Sequence, residues 1–242
     1  MRSLDDLRAE IRERSPLGEA RTEEVLRARF ERFPRRLELA LEHWPLERSR
    51  VLDVGCSFGH CLVHFGAGSL GIDKLGEHVD FCRGLGLEAL QADVDSSLAE
   101  VPESAFDYVW VSDILEHLDS PRLLLRRLRS KLAPDGILLL HLSTRPSGRA
   151  AEWTLRRLRL TPYEAHVHAY QFTKDTICYL LERCGYRVEK VVPALPPRLR
   201  FLAPLVVRQA PRLFLAARPD PAAEAIAREG EKRKKQAPAA PY

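Results

Sequence analysis

From Arg50 onward, apolar runs of strand length alternate with amphipathic stretches of helical length, and no other feature restricts the possible folds of this chain as strongly. The runs are 50–55 (RVLDVG), 68–73 (GSLGID), 87–92 (LEALQA), 106–112 (FDYVWVS) and 136–143 (GILLLHLS). Their β-branched, nearly unbroken apolar character is that of strands covered on both faces, and strands separated by helical lengths pair in parallel. The pattern predicts an α/β fold, a mostly parallel sheet wrapped by helices that fill the intervals. In "DSPRLLLRRLRSKLAPDG", Asp119 or Ser120 is the cap and Pro121 the first helical residue, and Pro134, Asp135 and Gly136 mark the stop. "FTKDTICYLLERCGYRVEKVV" repeats the cycle, with Thr173 as cap, Gly185 as stop and a strand at 186–192, and the run "RLFLAARP" is expected to close the sheet edge.

Residues 1–48 read differently, as a helical cap: Leu4, Leu7, Ile11, Val25, Leu26, Phe30, Phe33 and Leu37 are spaced by three or four among alternating Arg and Glu. A chain of 242 residues that is 45% hydrophobic can bury one substantial core, so one main domain over 49–219 is expected, with the Ala- and Pro-rich tail 220–242 disordered. No apolar stretch approaches the roughly 18 residues of a membrane span, and the first residues lack a signal-type apolar segment, which reads as cytoplasmic. The five cysteines are scattered without a CxxC pair, which argues against a disulfide framework or a zinc site. A net charge of +4 is too small to imply nucleic acid or a membrane as partner.

The first strand ends in Gly55 and turns through Cys56, Ser57 and Phe58 to Gly59, which turns backbone N–H groups toward a ligand at the carboxyl edge of the sheet. A dinucleotide fingerprint requires G-x-G-x-x-G, whereas here the spacing is G-x-x-x-G with Ser57 at the middle position, a poor fit for a pyrophosphate. The second strand ends in Asp73, able to accept both hydroxyls of a ribose, and the third in Asp93, able to meet an exocyclic adenine amine. Each feature has an ordinary use as a turn or cap; together, at successive strand ends, they describe a site for a nucleoside without phosphates.

On these residues the chain resembles a class I S-adenosylmethionine-dependent methyltransferase, in particular the group that includes quinone-biosynthesis O-methyltransferases. "VLDVGCSFG", "GID" ending at Asp73, "QADVDS" and "FDYVWVSDILEHL" are similar, in order and spacing, to that family's motifs. The resemblance implies a three-layer Rossmann-like sheet of seven strands with the last antiparallel. It also implies S-adenosylmethionine bound by Gly55, Cys56, Ser57, Gly59, Asp73, Lys74, Asp93, Val94 and Ser112, with the methionine portion against Gly55, Cys56 and Gly59. The departures are Ser57 in place of the usual glycine and a first helix, His60 to Phe65, about one turn short.

Methyl transfer to a hydroxyl needs a group that removes a proton. The segment "SDILEHLDS" offers Asp113, Glu116 and His117, and the resemblance points to His117 and to His166 or His168 of "YEAHVHAY" as catalytic candidates. D-x-x-E-H with a distant His is also similar to the pattern by which some relatives hold magnesium or manganese, an expectation for Asp113, Glu116 and His117. The acceptor is expected to be a small molecule or a lipid- or glycan-linked hydroxyl, recognised through the insertion at 145–170. The apolar, basic run "PPRLRFLAPLVVRQAPRLFL" raises weak contact with a membrane surface. DNA is not expected, because the Pro-Pro-aromatic motif of DNA amino-methylating enzymes is missing after the fourth strand. RNA 2′-O-methylation requires the metal constellation, and a cofactor-binding scaffold without turnover is the reading from outside the enzymes.

Overall fold

A computed structural model describes residues 3–31, 34–146, 153, 157, 169–195, 200, 201, 203 and 207–225. Seven strands form one sheet: β1 Val51–Val54, β2 Leu70–Asp73, β3 Ala89–Gln91, β4 Phe106–Ser112, β5 Leu132–Ser143, β6 Tyr186–Pro193 and β7 Arg212–Pro219. Their spatial order is β3-β2-β1-β4-β5-β7-β6. The first five pair in parallel, and β7 is antiparallel to both β5 and β6. This is the Rossmann-like sheet expected, with one correction: "RLFLAARP" lies between two strands and does not form the edge, which belongs to β6. The reason is in its burial, since Leu213 to Ala217 are all covered while β6 exposes Arg187, Glu189 and Lys190 and buries only its two end residues. A strand apolar on both faces belongs inside a sheet.

The helices are α1 Leu4–Arg14, α2 Glu19–Val25, α3 Pro34–Leu41, α4 Gly76–Gly84, α5 Pro121–Arg129 and α6 Lys174–Arg183. Thr173 caps α6 as its sequence predicts: its hydroxyl accepts from Thr176 N at 3.2 Å and its N–H donates to the Thr176 hydroxyl at 2.8 Å. The expectation that helices fill every interval is corrected in three places. Between β1 and β2 there is a single 3₁₀ turn, Leu62–His64, because six residues before Gly66 are too few to nucleate an α-helix. After β3, the Asp93 carboxylate accepts from Asp95 N at 3.0 Å and Ser97 Oγ accepts from Ala99 N at 3.1 Å, so local turns take the N–H groups a helix would need. After β4, only Leu115–His117 turn before Pro121 starts α5.

Helix α5 stops at Arg129, earlier than Pro134, and β5 starts correspondingly early. The register against β4 shifts between Phe106 and Tyr108, which lets Pro134–Gly136 sit in a bulged strand. A Cβ on Gly136 would lie 2.9 Å from the carbonyl oxygens of Ala133 and Phe106, so only glycine fits the bulge. Of the tail expected to be disordered, 220–225 depart from that expectation: Asp220 N donates to Gly185 O at 2.9 Å, 221–225 form a helical turn, and Glu224 pairs with Arg129 at 2.7 Å; residues 226–242 lie outside the described residues.

The N-terminal helices share their core with the sheet. Leu7, Ile11, Val25 and Phe30 pack with Phe58 after β1 and Phe81 of α4, while Leu37, Ala40 and Trp44 cover Val51, Trp110, Leu139 and Phe214. Each such buried apolar side chain contributes about 1.5–3 kcal/mol. That packing brings Arg29, beyond α2, and Arg36 of α3 to the cavity at the carboxyl ends of β1 to β4.

Candidate active site

A cavity of about 830 Å³ opens at the carboxyl ends of β1 to β4. Gly55, Cys56, Ser57, Asp73, Lys74, Asp93, Val94 and Ser112 line it, so eight of the nine residues expected to hold the cofactor converge on one space. The ninth, Gly59, is not among the lining residues. Its φ is +74°, and a Cβ there would lie 2.9 Å from Cys82 Sγ and 3.1 Å from Leu87, which marks it as the glycine that lets the turn fold onto α4.

Two non-glycine residues of the site sit in the left-handed region, Ser57 at φ +50° and Asp113 at φ +53°. Strain at such positions persists only when neighbours hold it. Ser57 is bracketed: its N–H donates to Asp73 Oδ2 at 2.9 Å, and its carbonyl accepts from the thiols of Cys82 at 3.5 Å and Cys56 at 3.7 Å. Its hydroxyl is buried without a partner among the described residues. Ser57→Gly is therefore expected to stabilise the chain by about 1 kcal/mol, since relief of a left-handed Cβ and an unbonded hydroxyl outweighs the added chain entropy. A denaturant midpoint unchanged or lowered by this substitution contradicts the strain argument.

Asp73 is more deeply engaged than a strand-end acceptor alone. Its carboxylate accepts from Leu75 N at 3.0 Å as well as Ser57 N, and pairs with His78 Nδ1 at 3.0 Å. Burial pushes its pKa up, but the His78 bond and the two N–H donors outweigh this and hold it below the ordinary carboxyl range. Asp53, in the middle of β1, also lines the cavity and is 3% exposed. Burial, with the charge of Asp73 beside it, pushes its carboxyl up to about 8 against the lowering effect of a bond from the Leu62 backbone, and Oδ2 has no partner among the described residues. A buried carboxyl raised this far at a cavity wall marks a place for a cationic ligand group.

The far end of the cavity is built on β4, β5 and β7. Ser112 Oγ lies 3.2 Å from His141 Nδ1 and accepts from Arg36 Nη1 at 3.3 Å. His141 is fully buried, and burial, reinforced by Arg36 and Arg212, holds its pKa well below the usual imidazole value. Asp113 is anchored by its N–H on the His141 carbonyl at 2.8 Å; its carboxylate pairs closely with Arg36 and lies 3.7 Å from Arg212. Glu116 is 1% exposed; Oε1 accepts from Ser143 N at 3.4 Å, Oε2 has no partner among the described residues, and burial raises its pKa. His117 lines the cavity from an exposed position. His166 and His168 lie outside the described residues, as does most of the insertion at 145–170. The chain on either side of it is tied to the site: Arg145 N donates to Phe172 O at 2.7 Å and Tyr170 N to Glu116 O at 3.1 Å.

The arrangement of Asp113, Glu116 and His117 does not fit a divalent ion. A guanidinium holds the Asp113 carboxylate where a metal would have to displace it, and burial drives Glu116 toward its neutral form. Among the described residues, no group of three His, Cys, Asp or Glu side chains could hold a metal.

The residues that sequence reasoning missed are Asp53, Arg29, Arg36, His60, His141 and Arg212. For two of them a signal was present: an aspartate inside "VLDV" and a histidine inside "GILLLHLS" are polar residues in runs buried on both faces. Arg29 and Arg36 carried none, being ordinary members of a basic helical segment, and Arg212 only opens an apolar strand.

The methyltransferase-domain family matches residues 25–191. Among curated proteins, the ubiquinone biosynthesis O-methyltransferase of Xanthomonas euvesicatoria pv. vesicatoria is 34% identical over 174 residues, 65% of this chain and 71% of that one. Its counterpart in Xylella fastidiosa is 33% identical over 173 residues, covering 65% and 69%. A relative of the same name in Xanthomonas campestris pv. campestris is 36% identical over 116 residues, 48% of its length. Among solved structures, an S-adenosylmethionine-dependent methyltransferase from Mesorhizobium loti superposes with a TM-score of 0.54 at 20% identity, over 75% of this chain and 95% of that one. The [4+2]-cyclase SpnF superposes with a TM-score of 0.57 at 18% identity, over 77% and 81%. At these identities the two structures share the fold, and the second carries a different reaction in its name.

Proposed function

Given that this chain belongs to the class I S-adenosylmethionine-dependent methyltransferases, with S-adenosylmethionine as its methyl donor, we propose that it methylates a hydroxyl oxygen of a small-molecule acceptor. The observation that carries this reading is the division of one cavity into two ends. The strand ends of β1 to β3 offer amide donors, a ribose acceptor and an adenine-side turn, while Ser112, Glu116, His117 and Ser143 surround the other end.

In this reading the donor's ribose hydroxyls bond to Asp73, its adenine lies along Asp93 and Val94, and its methionine portion follows Gly55 and Cys56. Its ammonium faces Asp53. Arg29, whose charge presses on the buried His60 after the glycine turn, faces its carboxylate. Bound there, the donor supplies an electrophilic methyl group on sulfur. Positioning then does most of the work, since the acceptor oxygen has only to meet the methyl in line. Glu116 takes the acceptor's proton: its carboxyl is buried and lines the cavity, burial raises its pKa above the ordinary carboxyl value, and Oε2 has no partner among the described residues. His117, at the rim, is placed to pass the proton to solvent.

Asp53 gives this reading a pH signature. In the empty site its carboxyl is protonated at pH 7 and titrates near 8. The raised value means that the chain is most stable with this group neutral and loses that contribution as pH rises through about 8. A bound ammonium reverses the preference, so S-adenosylhomocysteine binding is expected to release a proton at pH 7 and to tighten between pH 6 and about 8. Calorimetry in buffers of different ionisation enthalpy reads the release directly, and Asp53→Asn removes it. Equal heats in all buffers contradict the assignment of Asp53. The activity itself is tested by formation of S-adenosylhomocysteine with a panel of hydroxylated acceptors; binding of the donor with no turnover across the panel favours a scaffold.

A further inference from the structure

We propose that His141 is a positioning residue that, with Arg36, turns the Ser112 hydroxyl into a fixed hydrogen-bond donor, and that this donor makes the site take an oxygen nucleophile in preference to an amine; this rests on the acceptor end described above. Three strands place the group. Ser112 of β4 pairs in register with His141 of β5, and His141 with Phe214 of β7, so the imidazole is held between a hydroxyl and an aromatic ring whose centroid is 4.6 Å away. Ser112 lines the cavity, whereas His141 is 1% exposed and not among the lining residues, so it acts there through Ser112.

The surroundings of His141 assign its proton. Burial, with the charges of Arg36 and Arg212, keeps the ring neutral, so a single nitrogen carries hydrogen. Nδ1 lies 3.2 Å from Ser112 Oγ and 3.4 Å from Asp113 Oδ1, while Nε2 is buried with no partner among the described residues. A lone pair on Nδ1 would face the Asp113 carboxylate, which Arg36 holds, and would leave a buried N–H on Nε2 with no acceptor. The hydrogen therefore belongs on Nδ1. Arg36 Nη1, which only donates, also reaches Ser112 Oγ, at 3.3 Å. A hydroxyl oxygen accepts two hydrogen bonds and donates one, so with both lone pairs filled Ser112 has only its proton to offer the cavity. That proton sorts acceptors by their lone pairs. An acceptor hydroxyl gives its proton to the ionised Glu116, accepts from Ser112 on one lone pair and keeps the other for the methyl. A neutral amine has a single lone pair, which the methyl requires, and the Ser112 hydroxyl is left without an acceptor.

Two measurements on the full chain test this. With isotope-labelled histidine, a long-range proton–nitrogen correlation spectrum tells the two neutral forms of an imidazole apart, and the signal missing from His141→Asn is that of His141. It is expected as the Nδ1–H form; the Nε2–H form overturns the proposal. The second is calorimetric titration of the chain, saturated with S-adenosylhomocysteine, with phenol and aniline, two probes of one shape that differ in the atom they offer. Phenol is expected to bind about tenfold more tightly, the effect of one hydrogen bond. Ser112→Ala is expected to abolish the preference, His141→Leu to reduce it, and His141→Asn, whose amide nitrogen stands near the place of Nδ1, to keep most of it. A ring needed only for packing would be replaced better by leucine than by asparagine. Equal binding of the probes, no binding of either, or a preference that survives Ser112→Ala overturns the proposal and leaves the methyltransferase reading in place. Where His141→Leu does not fold, the spectrum and the Ser112 variant still decide. Failure of the wild-type chain to bind S-adenosylhomocysteine at all brings down the donor site and the proposal together.

Discussion

Asp73→Ala is expected to weaken S-adenosylhomocysteine binding about a hundredfold, the combined effect of losing two charge-assisted bonds to a ribose. The carboxylate has two tasks, and alanine removes both. It offers lone pairs to the ribose, and it closes the glycine turn by accepting from Ser57 N at 2.9 Å and Leu75 N at 3.0 Å. Without it the Ser57 N–H loses its acceptor, with the residue still at φ +50°, and the turn loses its bracket. The same substitution should cost the empty chain about 1–3 kcal/mol through the orphaned donors. His78→Ala separates the tasks: it removes one partner of Asp73, at 3.0 Å, and leaves both N–H bonds, so it should weaken binding much less. Calorimetric titration alongside thermal melts reads both quantities, and an Asp73→Ala affinity within threefold of the parent contradicts the ribose role.

Glu116→Gln is expected to lower kcat by about 10²- to 10³-fold, the size of a lost general base, with S-adenosylhomocysteine affinity unchanged. Glutamine keeps the shape and the bond from Ser143 N at 3.4 Å, so the packing of this turn should survive. The pH dependence carries a sign that a structural role would not produce. Burial raises the Glu116 pKa above its ordinary 4.5, and only the ionised form accepts a proton, so kcat should rise with pH through that raised value. In the glutamine variant the rise should vanish. A variant with the parent's kcat and the parent's pH profile removes Glu116 from the chemistry and leaves His117 as the described candidate.

The donor end of the site was legible because its features are local. A strand that ends in glycine, and two more that end in aspartate, announce their positions by sequence neighbours alone, and parallel pairing then sets them side by side. The acceptor end was not, because it is assembled across long separations. Arg36 meets Asp113 from 77 residues away, and Arg212 reaches the same carboxylate through a strand whose place in the sheet could not be read from its composition. The metal expectation met the same obstacle: D-x-x-E-H specifies ligand types, while a guanidinium from the N-terminal segment holds the Asp113 carboxylate and the distant histidines lie outside the described residues. Missing helices at 60–65 and 92–105 follow from competition that propensity does not weigh, namely crossover length in the first case and side-chain caps at Asp93 and Ser97 in the second.

The measurement that bears most directly on the two-ended cavity is a crystal structure with S-adenosylhomocysteine. The ribose is expected on Asp73, the adenine beside Asp93 and Val94, the ammonium on Asp53, and the sulfur turned toward Ser112 and Glu116. A ligand whose sulfur faces away from Ser112, or one bound clear of Gly55 and Asp73, would contradict the account.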